Sequence, residues 1–371
     1  MERKLGPVRT GPKAKRVCYN FQRMIQREDT ALPERILEPK ASAQDFSQFE
    51  QTLRPKTLAE YIGQKEIRRN VTISLEASKK RKECLEHVLL HGPAGLGKTT
   101  LAYIIGNEMG GNVKMTSGPA LERQGDLASL LTNLAEGDVL FIDEIHRLRP
   151  VVEEVLYSAM EDFVIDIMLG KGPSARAVRL NLPHFTLIGA TTKMSLLSSP
   201  LRDRFGNVFK FQFYDIDDIR KIILRSAKIL ECIIDDAAAQ RLAESSRQTP
   251  RIANRLLRRV RDFSQYHSHT EITQKIVEEA LHSLGVDHLG LDDMDRSILR
   301  TMAEKFKGGP VGLNTLSSAL SEEEATLEDI YEPYLIQLGF LERTPRGRLV
   351  TDHGYDHLGI DIPKHRQTQF I

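Results

Sequence analysis

Between Gly92 and Thr100 the chain places glycines, a lysine and two threonines at the spacing needed to hold a polyphosphate. The stretch reads Gly92-Pro93-Ala94-Gly95-Leu96-Gly97-Lys98-Thr99-Thr100. Its glycines let backbone N–H groups turn inward on an anion, and a following helix would point its positive end at the same charge. Lys98 adds a full charge at the β- and γ-phosphates, and the Thr99 hydroxyl can hold Mg²⁺. A second constellation, Asp143-Glu144, closes the apolar run Val139-Leu140-Phe141-Ile142. Asp143 can hold Mg²⁺ through water while Glu144 orients and polarises the attacking water, the division of labour that ATP hydrolysis requires. An isolated pair of this kind is ordinarily a solvated strand end, and the upstream phosphate loop reverses that reading. Either Thr191 or Thr192, after the apolar run from Phe185 to Ala190, could sense the γ-phosphate. Arg202 and Arg204 stand beside a helix-to-loop break, where a surface ion pair is the plain alternative to catalysis. His146 reads as structural.

These groups need an α/β scaffold. Val88, Leu89 and Leu90 suit a buried parallel strand, and Leu101, Ile104 and Ile105 recur at helical spacing, so the phosphate loop joins a strand to a helix. An extended entry at Leu53-Arg54-Pro55-Lys56 and a turn from Glu60 to Gln64 precede a helix from Glu66 to Lys82. Val113 to Thr116 reads as a strand and Ala120 to Asn133 as a helix. Val151 to Met160 reads as an amphipathic helix with Val151, Val152, Val155, Leu156 and Ala159 on one side. The runs Phe163–Leu169 and Ala177–Leu182 around Gly170–Ser174 suggest a protruding hairpin with Ile167, Met168 and Leu169 near its tip. Carboxylates at the ends of parallel strands fall where such sheets bind ligands.

Beyond Tyr214 the pattern changes to consecutive helices up to about Leu284. One is predicted from Thr249, as cap with Pro250 in the first turn, and buries Ile252, Leu256 and Val260. From Leu291 onward, Leu291, Met294, Ile298, Met302 and Phe306 suggest one helix, Leu313–Leu320 a second and Thr326–Leu338 a third. Two short strands then flank Thr344-Pro345-Arg346-Gly347. Three helices and a hairpin make a winged helix, a frequent reader of nucleic acid. Its arginines can neutralise phosphates without reading bases, although a solubilising turn would have the same composition.

With 371 residues and 40% hydrophobic content the chain is expected to form more than one core. The expected parts are a mobile basic arm at 1–50, an ATPase domain at 51–214, a helical domain at 215–288 and a winged-helix domain with its tail at 289–371. The balance of 52 Lys+Arg against 51 Asp+Glu gives a net charge of +1, so no global basic field announces nucleic acid. Cys18, Cys84 and Cys232 lie too far apart for metal-ligand spacing and read as free thiols. No apolar stretch approaches the roughly 18 residues of a membrane span, and the basic N-terminus lacks the apolar core of a secretory signal. A cytoplasmic protein is expected.

From about Leu53 to Gly359 the chain resembles the RuvB family, bacterial Holliday-junction branch-migration motors of the AAA+ ATPase class. The phosphate loop alone says only nucleotide hydrolase. The family is singled out by Asp143-Glu-Ile-His-Arg147, Gly189-Ala-Thr-Thr192, Pro200-Leu-Arg-Asp-Arg-Phe-Gly206, Thr249-Pro-Arg-Ile-Ala-Asn-Arg255, Glu332-Pro-Tyr-Leu-Ile336 and Arg343-Thr-Pro-Arg-Gly-Arg348, in that order. The resemblance implies an AAA+ P-loop domain with a parallel sheet, a helical lid and a C-terminal winged-helix domain. It implies that Leu53 and Arg54 border adenine, that Gly95, Gly97, Lys98, Thr99 and Thr100 hold phosphates and Mg²⁺, and that Glu161, Asp162, Phe163 and Tyr214 lie near the nucleotide. Thr192 would be sensor 1, Arg251 sensor 2, Arg204 the arginine finger, and Arg343 and Arg348 DNA contacts. The implied cofactors are ATP and Mg²⁺. The implied partners are Holliday-junction DNA, RuvA docked on the hairpin, RuvC in the resolving complex and further copies in a ring, as a hexamer, serving recombination, DNA repair and the SOS response to DNA damage. Ala94, Lys193 and Glu324 depart from the common family pattern, and Glu324 weakens any DNA contact assigned to its helix. A nucleotide-switched winged-helix regulator or a protein remodeller would share some of these parts, but Glu144 and Arg204 favour a hydrolysing ring.

Overall fold

The computed structural model describes residues 52–169 and 176–362, and the side chains at 167–169, 176 and 177 are outside that description. The expected basic arm, Cys18 and the Gly170–Ser174 turn therefore lie outside the described residues. The first domain runs α1 (Lys65–Arg81), β1 (Val88–His91), α2 (Lys98–Met109), β2 (Val113–Ser117), α3 (Gln124–Thr132), β3 (Val139–Asp143) and α4 (Pro150–Glu161). It continues through β4 (Val164–Leu169), β5 (Arg176–Asn181), β6 (Thr186–Thr191), α5 (Ser199–Asp203) and β7 (Asn207–Lys210).

Five strands pair in parallel in the order β2-β3-β6-β1-β7, while β4 and β5 form a separate antiparallel hairpin. Parallel strands covered on both faces must be apolar throughout, and Val139, Leu140, Phe141 and Ile142 are all fully buried. Leu127, Leu156, Phe185 and Leu187 pack in one cluster with Leu140 and Ile142. Each such side chain contributes on the order of 1.5–3 kcal/mol by leaving water. Register then fixes the geometry of the sheet edge: Ile142 pairs with Gly189 and His91 with Thr191. The phosphate loop after β1, Asp143 at the end of β3 and the threonines at the end of β6 therefore emerge side by side. Gly189 must be small, because a Cβ there would lie 2.9 Å from Ile145 Cδ1 and 3.1 Å from the Phe205 ring.

Two expectations shift within this domain. α3 starts at Gln124 rather than Ala120, because Gly118–Ala120 closes as a single 3₁₀ turn and the chain is extended at Arg123. Asp126 then accepts from the Arg123 N–H at 2.9 Å, which fixes the new start. On α4, Val152, Leu156 and Ala159 are buried as the periodicity requires, but Val151 faces solvent at 51% exposure.

The lid consists of α6 (Ile216–Ile229), α7 (Asp236–Glu244), α8 (Pro250–Tyr266) and α9 (Gln274–Ser283). Thr249 occupies the N-cap position of α8 without capping it: its hydroxyl donates back to the Ser246 carbonyl at 3.4 Å. Pro250 at the first helical position costs no hydrogen bond, since that N–H would have no helical acceptor. The buried face is Ala253, Leu256, Leu257 and Val260, with Ile252 only half-buried, so the helix is turned slightly from the expected face.

The last domain contains α10 (Asp293–Arg300), which runs into a π-helical turn at Thr301–Lys305, and α11 (Leu313–Leu320). A second π turn, Leu327–Tyr331, joins α12 (Glu324–Thr326) to α13 (Glu332–Gln337). β8 (Leu341–Thr344) and β9 (Gly347–Val350) form the wing, before α14 (Asp352–Leu358). Val311 and Arg348 exchange both backbone hydrogen bonds at 2.8 Å, pinning the wing to the segment before α11. Among the described residues no helix is long and apolar enough to cross a membrane.

Candidate active site

The phosphate loop is held from beneath by two buried tyrosines. Tyr214 donates its hydroxyl to the Leu96 carbonyl at 3.1 Å and stands 3.3 Å from the Tyr61 hydroxyl. Burial raises both phenols, Tyr214 to about 12, so both remain neutral donors. Gly97, the cap of α2, has φ 96°, and a side chain there would meet the Tyr61 hydroxyl at 3.2 Å. A left-handed backbone and a close approach both demand glycine at this position.

Lys98 is 8% exposed and folds over the loop, donating from Nζ to the carbonyls of Gly92 at 2.7 Å and Pro93 at 2.8 Å. Loss of hydration lowers its pKa to about 8; the Asp143 carboxylate opposes that fall and Arg251 adds to it. Two neutral carbonyls do not balance its charge, which suits an incoming anion.

Asp143 accepts from the Glu144 N–H at 2.9 Å. Glu144 itself has φ 48° and ψ 43°, a left-handed conformation that costs a residue with a side chain about 1–3 kcal/mol. Its carboxylate is turned to Arg147, 3.1 Å away. The two threonines after the β6 core divide clearly. Thr191 is 1% exposed and bonds His146 Nδ1 at 2.9 Å, while its oxygen also accepts from the Lys193 N–H at 3.0 Å. Desolvation lowers the pKa of His146, consistent with a neutral structural partner. Thr192 is exposed toward the cleft.

These groups surround a cavity of about 240 Å³. Gly95, Gly97, Lys98, Thr99 and Thr100 form its floor, with Asp143, Glu144 and Thr192 from the sheet edge. Leu53, Arg54, Tyr214 and the lid residue Arg251 complete the walls. The cleft also takes in Tyr61, Arg225, Asn254, Arg255 and Arg258, which the sequence did not single out as site residues. Arg225 donates to the Leu53 carbonyl at 2.7 Å and pairs with Glu60 at 3.1 Å, tying the lid to the entry segment. At the other end the Arg251 N–H reaches the Gly95 carbonyl at 3.4 Å. Thr99 and Asp143 offer oxygen donors in the same cleft, the ligand chemistry that Mg²⁺ takes, so the residues fit a Mg²⁺-polyphosphate.

Arg204, Glu161, Asp162 and Phe163 are not among the residues lining this cleft. Arg204 pairs with Glu161 at 3.1 Å and lies over the Tyr157 ring, 4.5 Å from its centre. Its Nε is buried without a hydrogen-bond partner among the described residues. Phe163 packs 4.2 Å from the His184 ring and edge-on to Phe185, and Asp162 is an exposed helix end. Ile167, Met168 and Leu169 pair along the backbone with Val178, Ala177 and Arg176; their side chains are outside the description.

The wing arginines also separate. Arg343 is exposed and pairs with Glu328 at 2.8 Å, and Arg346 is exposed on the turn. Arg348, expected from the resemblance to contact DNA, is 8% exposed and bound to Glu332 through both ends of its fork, at 3.0 and 2.9 Å. Its strand position turns the side chain inward, where it meets a buried carboxylate. Glu324 is exposed and accepts from Asn314 at 3.0 Å.

Comparison with known families follows the same three-part division. The Holliday junction DNA helicase RuvB P-loop domain matches residues 53–211, the RuvB AAA lid domain 214–287 and the RuvB C-terminal winged helix domain 288–359. Among solved structures, the Thermotoga maritima RuvB Holliday junction branch migration motor is 50% identical, with a TM-score of 0.78 over 84% of this chain and all (100%) of that one. A point mutant of the same Thermotoga maritima protein is 51% identical, with a TM-score of 0.79 over 84% of this chain and 99% of that one.

Proposed function

The chain belongs to the RuvB family, and on that premise we propose that it is an ATP-driven motor that moves Holliday junctions during recombination and DNA repair. One observation carries the reading: Lys98, Asp143, Glu144, Thr192 and the lid residue Arg251 converge on one cleft in a chain that also carries a winged helix.

Each group has a distinct task. The loop and Lys98 hold the phosphates of ATP, with Leu53 and Arg54 at the base and Arg251 closing the lid. Thr99 and Asp143 would hold Mg²⁺, which when bound neutralises charge on the β- and γ-phosphate oxygens. Glu144 leaves Arg147 to orient and polarise the attacking water, and Thr192 reads the γ-phosphate. Arg204 acts on the ATP of a neighbouring copy in a ring, a hexamer. That reading is supported by its place outside the chain's own cleft and by its partnerless Nε. Glu161, which pairs with Arg204, and the adjacent Asp162 and Phe163 would meet the neighbour's nucleotide with it. The β4–β5 hairpin docks RuvA through Ile167, Met168 and Leu169, and RuvC joins the resolving complex in the bacterial cytoplasm. Arg343 and Arg346 grip DNA phosphates, which suits a motor that must not pause at preferred sequences.

The deciding experiment measures ATP hydrolysis with and without a synthetic four-way junction while following strand separation in that junction. Hydrolysis stimulated by DNA together with junction movement is expected. Hydrolysis that leaves the junction in place would overturn the motor reading. Ile167→Asp with Leu169→Asp should abolish RuvA capture and spare basal hydrolysis.

A further inference from the structure

One carboxylate joins the ATPase domain to the wing. Glu328 Oε1 accepts from Arg343 Nη2 at 2.8 Å, and its Oε2 accepts from Lys193 Nζ at 3.2 Å. Lys193 also pairs with Asp329 at 3.0 Å, and Arg348 Nη2 stands 3.7 Å from Glu328. The π turn Leu327–Tyr331 places the adjacent residues Glu328 and Asp329 against the same lysine. Such turns recur where function requires a departure from regular helix. At the other end, Lys193 directly follows Thr192, and its N–H is fixed to the Thr191 hydroxyl.

We propose that Glu328 is the link through which the wing and the γ-phosphate end of the ATP site influence each other. The proposal rests on the reading of Arg343 as a phosphate contact. Without DNA, Glu328 divides its charge between Arg343 and Lys193. A DNA phosphate competes with Glu328 for Arg343, and the freed carboxylate then turns more strongly to Lys193, with Arg348 still 3.7 Å from its Oε1. The exchange is feasible because the Arg343 side chain is 57% exposed, so its pair is partly screened and weak enough to yield. Arg348 does not share this role, since Glu332 holds it with two bonds in a buried setting. Because coupling between sites is reciprocal, a change at Lys193 must alter DNA affinity through Glu328.

The test measures affinity of the full chain for a short blunt duplex at low salt by fluorescence anisotropy. Glu328→Gln should tighten binding by roughly two- to fivefold, the range of one partly exposed ion pair. Lys193→Met should weaken it, because Glu328 then turns more strongly to Arg343. In a Glu328→Gln background Lys193→Met should have no effect, and in an Arg343→Ala background Glu328→Gln should have none. Misfolding does not mimic this pattern, since a damaged wing binds less rather than more. Glu328→Asp, too short to span both partners, provides a second variant with the same expected loss of response to Lys193→Met. If Arg343→Ala weakens binding but Glu328→Gln binds like the parent, or if the Lys193→Met effect persists without Glu328, the link fails while the wing reading stands. If Arg343→Ala leaves affinity unchanged, the wing reading fails and the link with it.

Discussion

Arg348 and Glu332 meet fork to fork, with both side chains withdrawn from solvent. Breaking a buried pair by deleting one partner leaves an uncompensated charge and costs about 3–5 kcal/mol. Arg348→Ala should therefore lower the urea midpoint of unfolding, whereas Arg343→Ala should not. In DNA binding the order reverses: Arg343→Ala should flatten the slope of log affinity against log salt by about 0.9, and adding Arg346→Ala should flatten it by nearly twice that. An Arg348→Ala protein with unchanged stability and a flattened slope would show that this arginine leaves Glu332 to meet DNA.

Lys98 should make nucleotide binding depend on pH. Its free-state pKa of about 8, against an ordinary 10.5, means the amine is charged in both free and bound forms at lower pH. Above that pH it is neutral when free, and a bound phosphate draws the proton back. ATP affinity should be flat below pH 8 and fall by up to about tenfold per pH unit above it, with proton uptake seen by calorimetry in two buffers. The sign for folding is opposite to that of a stabilising pair: the buried charge is a cost below pH 8 that is relieved as pH rises toward the unfolded value. Lys98→Arg, charged throughout, should bind with no such pH dependence of its own.

Glu144→Gln should keep ATP binding and lose hydrolysis by about 10²–10⁴-fold, because the amide preserves shape while removing the group that polarises water. Lys98→Ala should instead lose much of the binding, since a charge paired with phosphate disappears. Equal ATP affinity in the two variants, measured by equilibrium titration, would contradict the assigned roles.

Arg204→Ala should slow hydrolysis by roughly 10³–10⁵-fold, the range for an arginine finger. If the finger acts between subunits, doping the parent protein with this variant should depress ATPase activity more than dilution does. Activity strictly proportional to the parent fraction would speak against a shared site.

Much of the nucleotide cleft was legible because its chemistry is local in sequence. A phosphate loop needs a fixed spacing of glycines and lysine, and Asp143-Glu144 needs only a strand end. What sequence could not show lies in long-range packing. Tyr61 meets Tyr214 across 153 positions, and Arg225 meets Leu53 across 172, with no spacing to announce either pair. Arg348 looked like Arg343 because both flank one polar turn, and as cross-strand partners they even share a face of the wing. Only long-range packing separates them, since Arg348 is held by the buried Glu332 while Arg343 stays exposed on Glu328. The π turns at Thr301–Lys305 and Leu327–Tyr331 were invisible because apolar periodicity averages over a single inserted residue.

The glycine at 189 has a mechanical consequence. Phe205, next to Arg204, is wedged against the space that a larger residue on β6 would fill, and β6 leads directly to Thr192. The segment that carries Arg204, the proposed finger, is thus packed against the strand that leads to Thr192, the proposed sensor. In a ring of such chains, tilting a subunit to suit its own nucleotide would swing its finger toward or away from the next subunit by the same motion. Timing between neighbouring sites would then follow from rigid leverage, without a flexible messenger.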